Sequence, residues 1–134
     1  NLADREIIDK QHINKIYRKN IREFLFSPLG LRIQKAKSLQ RELAFNRMIN
    51  AKVYYPQAED NDTIFIQGII DLLVEEDDGL ILLDYKTDNC TQIEAKAKYA
   101  MQIELYAQAA SEIMRKPIKE KYLYLFHDAS LIKM

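Results

Sequence analysis

The stretch from Ile64 to Thr87, IFIQGIIDLLVEEDDGLILLDYKT, decides the fold of this 134-residue chain. It contains two apolar runs rich in β-branched residues, 64–74 and 80–87, separated by an acidic segment that ends in Asp78-Gly79. Two such runs joined through an Asp-Gly turn predict a β-hairpin. Because the runs are apolar on both strand faces, we expect the hairpin to lie centrally in a sheet covered on both sides.

The segments before the hairpin predict two helices, a strand and a loop. Apolar residues at helical spacing predict a helix over residues 4–26, and Ser27-Pro28 supplies the N-cap and first-turn proline of a shorter helix over residues 28–37. Residues 38–46 alternate as a strand, with Glu42 on one face and four side chains on the other, namely Leu39, Arg41, Leu43 and Phe45. Residues 47–62 predict a loop, with a short extended piece at residues 53–55.

The segments after the hairpin predict a helix and a last strand. Thr91 and Glu94 form a capping box that begins a helix running to about Arg115, and Pro117 follows its end. Residues 119–126 predict the last strand. This order of elements predicts an α/β fold: a small mixed sheet with a central hairpin flanked by helices, forming one domain over residues 1–134.

The composition is that of a globular protein and excludes several kinds of site. Twenty Lys and Arg residues balance twenty Asp and Glu residues, so no net positive field indicates a nucleic-acid binder. No apolar run is long enough to span a membrane and no leader follows Asn1, which predicts a cytoplasmic location without membrane association. The single cysteine, Cys90, excludes a disulfide and a cysteine-built iron–sulfur cluster within this chain, and no P-loop motif supplies an ATP site.

The charges are segregated along the chain. Residues 15–41 carry eight Lys or Arg and one acid, whereas residues 59–78 carry eight acids and no base. This segregation suits a phosphate ligand beside the first segment and a metal beside the second, and it equally suits two solvated faces. Both interpretations stay open on charge alone.

Asp71 and Asp84 are charged residues within otherwise apolar strands, and Lys86 follows Asp84 by two positions. A loop over residues 76–79 places Asp71 opposite Asp84, whereas a loop over residues 78–79 places it opposite Lys86. Both registers put all three side chains on one face. Two half-buried carboxylates this close require a cation or a proton, and their oxygens suit Mg²⁺ or Mn²⁺. A buried Asp–Lys ion pair is the structural alternative.

Three motifs on these elements resemble those of a known family. Residues 68–71 (GIID), 84–87 (DYKT) and 102–106 (QIELY) resemble the G-x-x-D, D-Y-K-T and Q-x-x-x-Y series of RecB-type nucleases, a branch of the PD-(D/E)xK superfamily. Residues 24–29 and 41–45 resemble the lead-in of the C-terminal nuclease domain of AddA-type helicase–nucleases. The resemblance implies a restriction-endonuclease-like core and a metal-dependent deoxyribonuclease of exonuclease type, acting in double-strand-break repair and homologous recombination.

The resemblance implies a metal site. Asp71 and Asp84 are its implied carboxylate ligands, together with the backbone carbonyl of Tyr85 and the strand glutamate Glu42. The implied cofactor is Mg²⁺, with Mn²⁺ as a substitute.

The resemblance also implies residues that act on the substrate. Lys86 is the implied catalytic lysine, which positions or deprotonates the attacking water. Gln102 and Tyr106 share one face of their helix and are implied to orient Lys86 or DNA. The basic segment supplies the candidates for contact with the DNA backbone: Arg18, Arg22, Arg32 and Lys35.

Partners and one departure follow from the same resemblance. The implied partners besides DNA are a helicase portion of the parent chain and the second component of an AddAB-type complex. The family carries a further histidine on an upstream helix, which neither His12 nor His127 matches, so we expect an N-terminally truncated fragment with impaired metal binding. The alternative functions are a non-catalytic DNA-guiding or subunit-docking module of the same fold, and an ion-pair-stabilised domain with no nucleic-acid role.

Overall fold

The computed structural model describes residues 19–134 of the chain. Residues 19–25 are helical (α1), and α2 follows at Pro28–Gln34. Strand β1 spans Ser38–Asn50 and leads into a 3₁₀ turn at Ala51–Val53. The hairpin strands are β2 at Thr63–Glu76 and β3 at Gly79–Lys86. Helix α3 spans Gln92–Met114, and the chain continues with β4 at Ile118–Leu125 and β5 at Ser130–Lys133.

These strands form one five-stranded sheet in the order β1-β2-β3-β4-β5. Strands β1, β2 and β3 pair antiparallel, β3 and β4 pair parallel across the α3 connection, and β5 pairs antiparallel with β4. The predicted α/β class, with a small mixed sheet and a central hairpin, is confirmed. Within the described residues no helix is long and apolar enough to cross a membrane.

A hydrophobic core lies on each face of the sheet. On one face α3 packs over side chains that include Leu80, Leu82 and Leu123, and this set is called the α3 core. On the other face α1 and α2 pack over a set that includes Val74 and Ile81, called the α1–α2 core. Strand β3 is therefore covered on both sides, as predicted, and residues 80–83 have no solvent-exposed surface.

The predicted helix boundaries at Ser27 and Thr91 are confirmed by their capping contacts. The Ser27 hydroxyl accepts a hydrogen bond from the Gly30 N–H at 3.1 Å, and Pro28 begins α2. The Thr91 hydroxyl accepts from the Glu94 N–H while the Glu94 carboxylate accepts from the Thr91 N–H, each at 3.1 Å. The C-terminal end of α2 was predicted too late, since the helix ends at Gln34.

Three predicted segments differ from the structure. Residues 47–50 continue β1 rather than beginning a loop, because they pair with residues 63–66 of β2. Residues 53–55 are not extended, since the 3₁₀ turn ends there and Tyr55 donates its N–H to the Ala51 carbonyl. Strand β5 was not predicted at all. Residues 4–18 of the predicted first helix, including His12 and Arg18, lie outside the described residues.

The face alternation of β1 breaks at Glu42. Leu39 packs into the α1–α2 core, whereas Leu43 and Phe45 pack into the α3 core. The prediction that these side chains share one face is therefore wrong. The physical reason is the backbone of Glu42, which has a φ of 51°, in the left-handed region that reverses strand alternation. Non-glycine residues adopt this conformation rarely, and such positions concentrate at functional sites.

Candidate active site

The hairpin register brings the two buried aspartates together. Leu72 pairs with Leu83 and Glu76 with Gly79, which places Asp71 opposite Asp84, the first of the two predicted registers. The regular ladder ends at Leu72, and Asp71 Oδ2 instead accepts the backbone N–H of Tyr85 at 2.8 Å. Asp71 is 5% exposed and Asp84 is 3% exposed. The two carboxylates therefore lie at the point where β2 departs from β3.

Lys86 extends over the α3 face of the sheet and is held from three directions. Its Nζ lies 3.0 Å from Asp84 Oδ2 and donates to Gln102 Oε1 at 3.0 Å. It also lies 4.3 Å from the centroid of the Tyr99 ring. The side chain is 19% exposed, so one part of the amine side remains accessible to solvent. An ammonium at this position balances the charge of Asp84 and stays within reach of a ligand.

Helix α3 carries the polar groups that cover the amine. Gln102 and Tyr106 are one turn apart on the same face, and Gln102 Nε2 donates to the Tyr106 hydroxyl at 3.4 Å. The Tyr106 ring packs edge-on against Phe45 with 5.2 Å between centroids. Gly68 makes this contact possible, because a Cβ there would lie 2.7 Å from Tyr106 Cε1 and 2.9 Å from the Phe45 ring. The glycine of the G-x-x-D motif thus provides space for the tyrosine of the Q-x-x-x-Y motif.

Glu42 approaches the aspartates from β1. The pairs Arg41–Leu72 and Leu43–Ile70 flank it, so the register places Glu42 opposite Asp71. Three carboxylate oxygens in this region have no access to solvent: Glu42 Oε1, Asp71 Oδ1 and Asp84 Oδ2. The structure therefore concentrates buried oxygen donors where β1, β2 and β3 meet.

The Tyr85 side chain points away from these groups and belongs to the α1–α2 core. Its ring lies 5.6 Å from the Phe126 ring. Burial raises the pKa of the Tyr85 hydroxyl to about 12, so the phenol is neutral at physiological pH. Only the backbone of Tyr85 is on the side of the aspartates, and its N–H is fixed by Asp71.

Residues 2–132 of the chain match the family model described as the PD-(D/E)XK nuclease superfamily. The chain belongs to this superfamily. The motif residues that its members share, an acid after a strand and an acid–x–Lys on the next strand, correspond here to Asp71, Asp84 and Lys86. The recognition made from sequence motifs is confirmed.

Relatives of this PD-(D/E)XK chain are large proteins. It is 37% identical over 138 residues to AddA, the ATP-dependent helicase/nuclease subunit of that type, from Thermoanaerobacter sp. (strain X514), covering 98% of this chain and 11% of the relative. It is 38% identical over 133 residues to the AddA protein of Clostridium novyi (strain NT), covering 94% and 11%. The chain thus spans about a tenth of the length of the curated relatives it matches. Among solved structures, the crystal structure of SSO0001 matches with a TM-score of 0.49 at 15% identity, covering 92% of this chain and 58% of that one.

PD-(D/E)XK nucleases typically use Mg²⁺, and the donor set in this chain fits that ion. The buried groups near the aspartates are carboxylate oxygens, which are the ligands that Mg²⁺ and Mn²⁺ prefer. Within residues 19–134 the side chains do not form a cluster of three or more His, Cys, Asp or Glu ready to hold a metal. Asp84 is instead paired with Lys86, and Asp71 with the Tyr85 N–H.

The predicted DNA contacts lie on different parts of this nuclease domain. Arg32 bonds to Glu76 and Glu120 through paired contacts, the shortest at 2.7 Å, on the α1–α2 side of the sheet rather than the side of Lys86. Arg22 on α1 and Lys35 at the end of α2 are exposed. Arg18 lies outside the described residues. The structure therefore does not bring Arg32 to the aspartates.

The two other residues that the sequence raised or overlooked are His127 and Tyr99. His127 Nε2 lies 2.8 Å from the Cys90 carbonyl, a loop contact away from the aspartates, as expected of a structural histidine. Tyr99 contacts the Lys86 ammonium, and motif reasoning missed it. One signal was present in the sequence: Tyr99, Gln102 and Tyr106 follow the i, i+3, i+7 spacing of a single helix face.

Proposed function

We propose that this PD-(D/E)XK domain hydrolyses DNA phosphodiester bonds with the help of a divalent metal ion. The observation that carries the proposal is the grouping of Asp71, Asp84 and Lys86 on one face of the sheet, with Lys86 held between Asp84 and Gln102 at 3.0 Å from each. Two buried acids beside an amine form a costly arrangement for a scaffold, since removing charges from water is destabilising. They form a useful one for binding a cation and a phosphate together.

The residues that would hold the metal are Asp71, Asp84, Glu42 and the Tyr85 carbonyl. When bound, Mg²⁺ would supply an activated water and neutralise charge on the phosphate. Lys86, whose amine is partly accessible, would hold the attacking water or a phosphate oxygen by donating hydrogen bonds. Gln102 would keep that amine in place while the oxygens of Asp84 are turned to the ion.

The relatives suggest the setting of this reaction. They are named as helicase/nuclease subunits, and this chain corresponds to about a tenth of each. We propose that the domain acts as an exonuclease in double-strand-break repair and recombination, beside a helicase portion and the second component of the complex. Delivery of DNA to the site by a motor accounts for a nuclease domain whose net charge is zero.

Exposed basic residues on α1 and α2 are the proposed contacts with the DNA backbone. Arg18, Arg22 and Lys35 carry this proposal through their charge. Arg32 carries it least, because Glu76 and Glu120 already neutralise its guanidinium.

The test is cleavage of linear DNA by the full-length protein, with Mg²⁺ and with a chelator. We expect Lys86→Met to lower the rate at least about 100-fold, the usual effect of removing a group that stabilises developing charge. Lys133→Met is the matched control, since Lys133 is exposed on β5, and its rate should stay within about twofold. Retained DNA binding without metal-dependent cleavage in the unmodified protein would instead support the non-catalytic DNA-guiding alternative.

A further inference from the structure

Tyr99 lies against Lys86 and outside the three motifs that define the site. Its ring centroid is 4.3 Å from Lys86 Nζ, within the range of a cation–π interaction. An ammonium group has three N–H bonds. Asp84 and Gln102 each lie 3.0 Å from the nitrogen, and the Tyr99 ring supplies the third contact. Together these three groups determine where the amine points.

The Tyr99 ring is itself held in place at both ends. Its body packs against the α3 core. Its hydroxyl donates to Asp88 Oδ2 at 2.6 Å, and the Lys98 ammonium bonds to the same oxygen at 2.7 Å. The Lys98 hydrogen bond is the largest cause of a lowered pKa for Asp88, with Tyr99 second, so this acceptor is ionised at neutral pH. Burial is the largest cause of a raised pKa for Tyr99, which keeps its hydroxyl protonated as a donor.

The contact with Tyr99 differs in kind from the other two contacts of Lys86. Asp84 is a proposed metal ligand, so its oxygens have a second use in the reaction. The ring face of Tyr99 has no such competing use, and it accepts the ammonium without removing a proton from it. Lys98 also lies near the ring, at 5.1 Å from its centroid, but its own partner is Asp88. The ring is therefore available to Lys86 throughout.

We propose that Tyr99 is a positioning residue for Lys86: its ring fixes the amine over the aspartates, and its hydroxyl bond to Asp88 fixes the ring. The proposal rests on the nuclease function proposed above for its effect on rate. It rests on geometry alone for its effect on the position of Lys86. The two parts can therefore be tested separately.

The first test compares three variants of the full-length protein in Mg²⁺-dependent DNA cleavage. Tyr99→Leu keeps apolar bulk and removes the ring, and we expect kcat to fall about 5- to 30-fold with KM for DNA within about twofold, from the usual strength of a cation–π contact. Tyr99→Phe keeps the ring and loses only the bond to Asp88, so we expect a fall of no more than about threefold. Tyr55→Leu, at a tyrosine that is 56% exposed, is the matched control and should leave both constants unchanged.

The second test is a crystal structure of the Tyr99→Leu and Tyr99→Phe proteins, which requires no activity. We expect Lys86 Nζ to leave Gln102 in the leucine variant and to keep its 3.0 Å contact in the phenylalanine variant. An unmoved amine in Tyr99→Leu, or a leucine variant with unchanged kcat beside an inactive Lys86→Met, overturns the positioning role. An unmodified protein that cleaves no DNA overturns the nuclease proposal, and the crystal structures still decide the position of Lys86.

Discussion

Asp71 has two roles that different substitutions separate. Its Oδ2 accepts the buried Tyr85 N–H, and its charge contributes to the proposed metal site. Asp71→Ala should lower the free energy of unfolding by about 1–3 kcal/mol, because the N–H loses its acceptor. Asp71→Asn keeps an acceptor oxygen, so we expect near-normal stability together with loss of Mg²⁺-dependent cleavage. Urea unfolding and a cleavage assay on both variants measure the two effects, and an asparagine variant that cleaves normally contradicts the metal-binding role.

Gly68 is a second residue whose substitution has a defined steric effect. A Cβ at this position would lie 2.7 Å from Tyr106 and 2.9 Å from Phe45, both of which are packed rings. We expect Gly68→Ala to cost about 1–3 kcal/mol of stability and to lower cleavage by displacing Tyr106, and through it Gln102. The neighbouring Ile69→Ala is the control, since Ile69 is 45% exposed. Equal thermal stability of the two variants contradicts the steric explanation.

Much of this site follows from sequence because strand geometry is regular. Hairpin register and side-chain alternation together place Asp71, Asp84 and Lys86 on one face before any coordinates are known. Two features do not follow. The left-handed backbone of Glu42 breaks the alternation of β1, and no residue type at that position indicates it. The Tyr99 contact depends on how far α3 lies above the sheet, which is a tertiary property.

At the scale of whole elements, α2 is attached to the sheet by a charged cluster. Arg32 bonds to Glu76 at the end of β2 and to Glu120 on β4. Hydrogen bonds from Arg32 and then Tyr122 lower the pKa of Glu120 to about 2, and Arg32 is also the largest cause of the lowered pKa of Glu76. Because these pKa values are depressed in the folded state, the stabilisation is present above the ordinary pKa of a glutamate and is lost as pH falls toward 2.

This linkage predicts the behaviour of Arg32→Met. At neutral pH we expect the free energy of unfolding to fall by about 1–2 kcal/mol, a modest effect because water partly screens the exposed guanidinium. Near pH 2 to 3 the variant and the unmodified protein should approach equal stability, since protonated glutamates gain nothing from the arginine. Urea unfolding at both pH values measures this, with the exposed-site variant Lys96→Met as control. A stability difference that does not depend on pH contradicts the ion-pair explanation.

The elements with local signals were predictable, and those without were not. Ser27-Pro28 and the Thr91–Glu94 capping box determine two helix starts through contacts within four residues. Strand β5 has only four residues and owes its formation to pairing with β4 and to burial of Ile132, so its local sequence gives little indication of it. The extension of β1 to Asn50 likewise depends on pairing with Thr63 across the loop.

At the scale of the whole molecule, the sheet consists of a rigid centre and a projecting ribbon. Residues 80–83 of β3 are fully buried between the two cores and are paired on both sides. Beyond Leu72, β2 no longer pairs with β3, so residues 63–70 are held by β1 alone. The outward side of this ribbon is partly apolar, with Met48 and Phe65 paired and both more than half exposed. The aspartates lie at the junction of the two parts.

This arrangement predicts a gradient of amide hydrogen exchange across the sheet. Exchange of buried, doubly paired strands requires opening of most of the fold, whereas an exposed two-stranded ribbon opens locally at lower cost. We expect amides of residues 80–83 to exchange at least about tenfold more slowly than those of residues 64–67. Exchange followed by mass spectrometry on the full-length protein, read peptide by peptide, measures both. Because Asp71 joins the ribbon to β3 through the Tyr85 N–H, Asp71→Ala should speed exchange at Tyr85 more than Asp71→Asn does, and equal rates in the two variants would contradict that coupling.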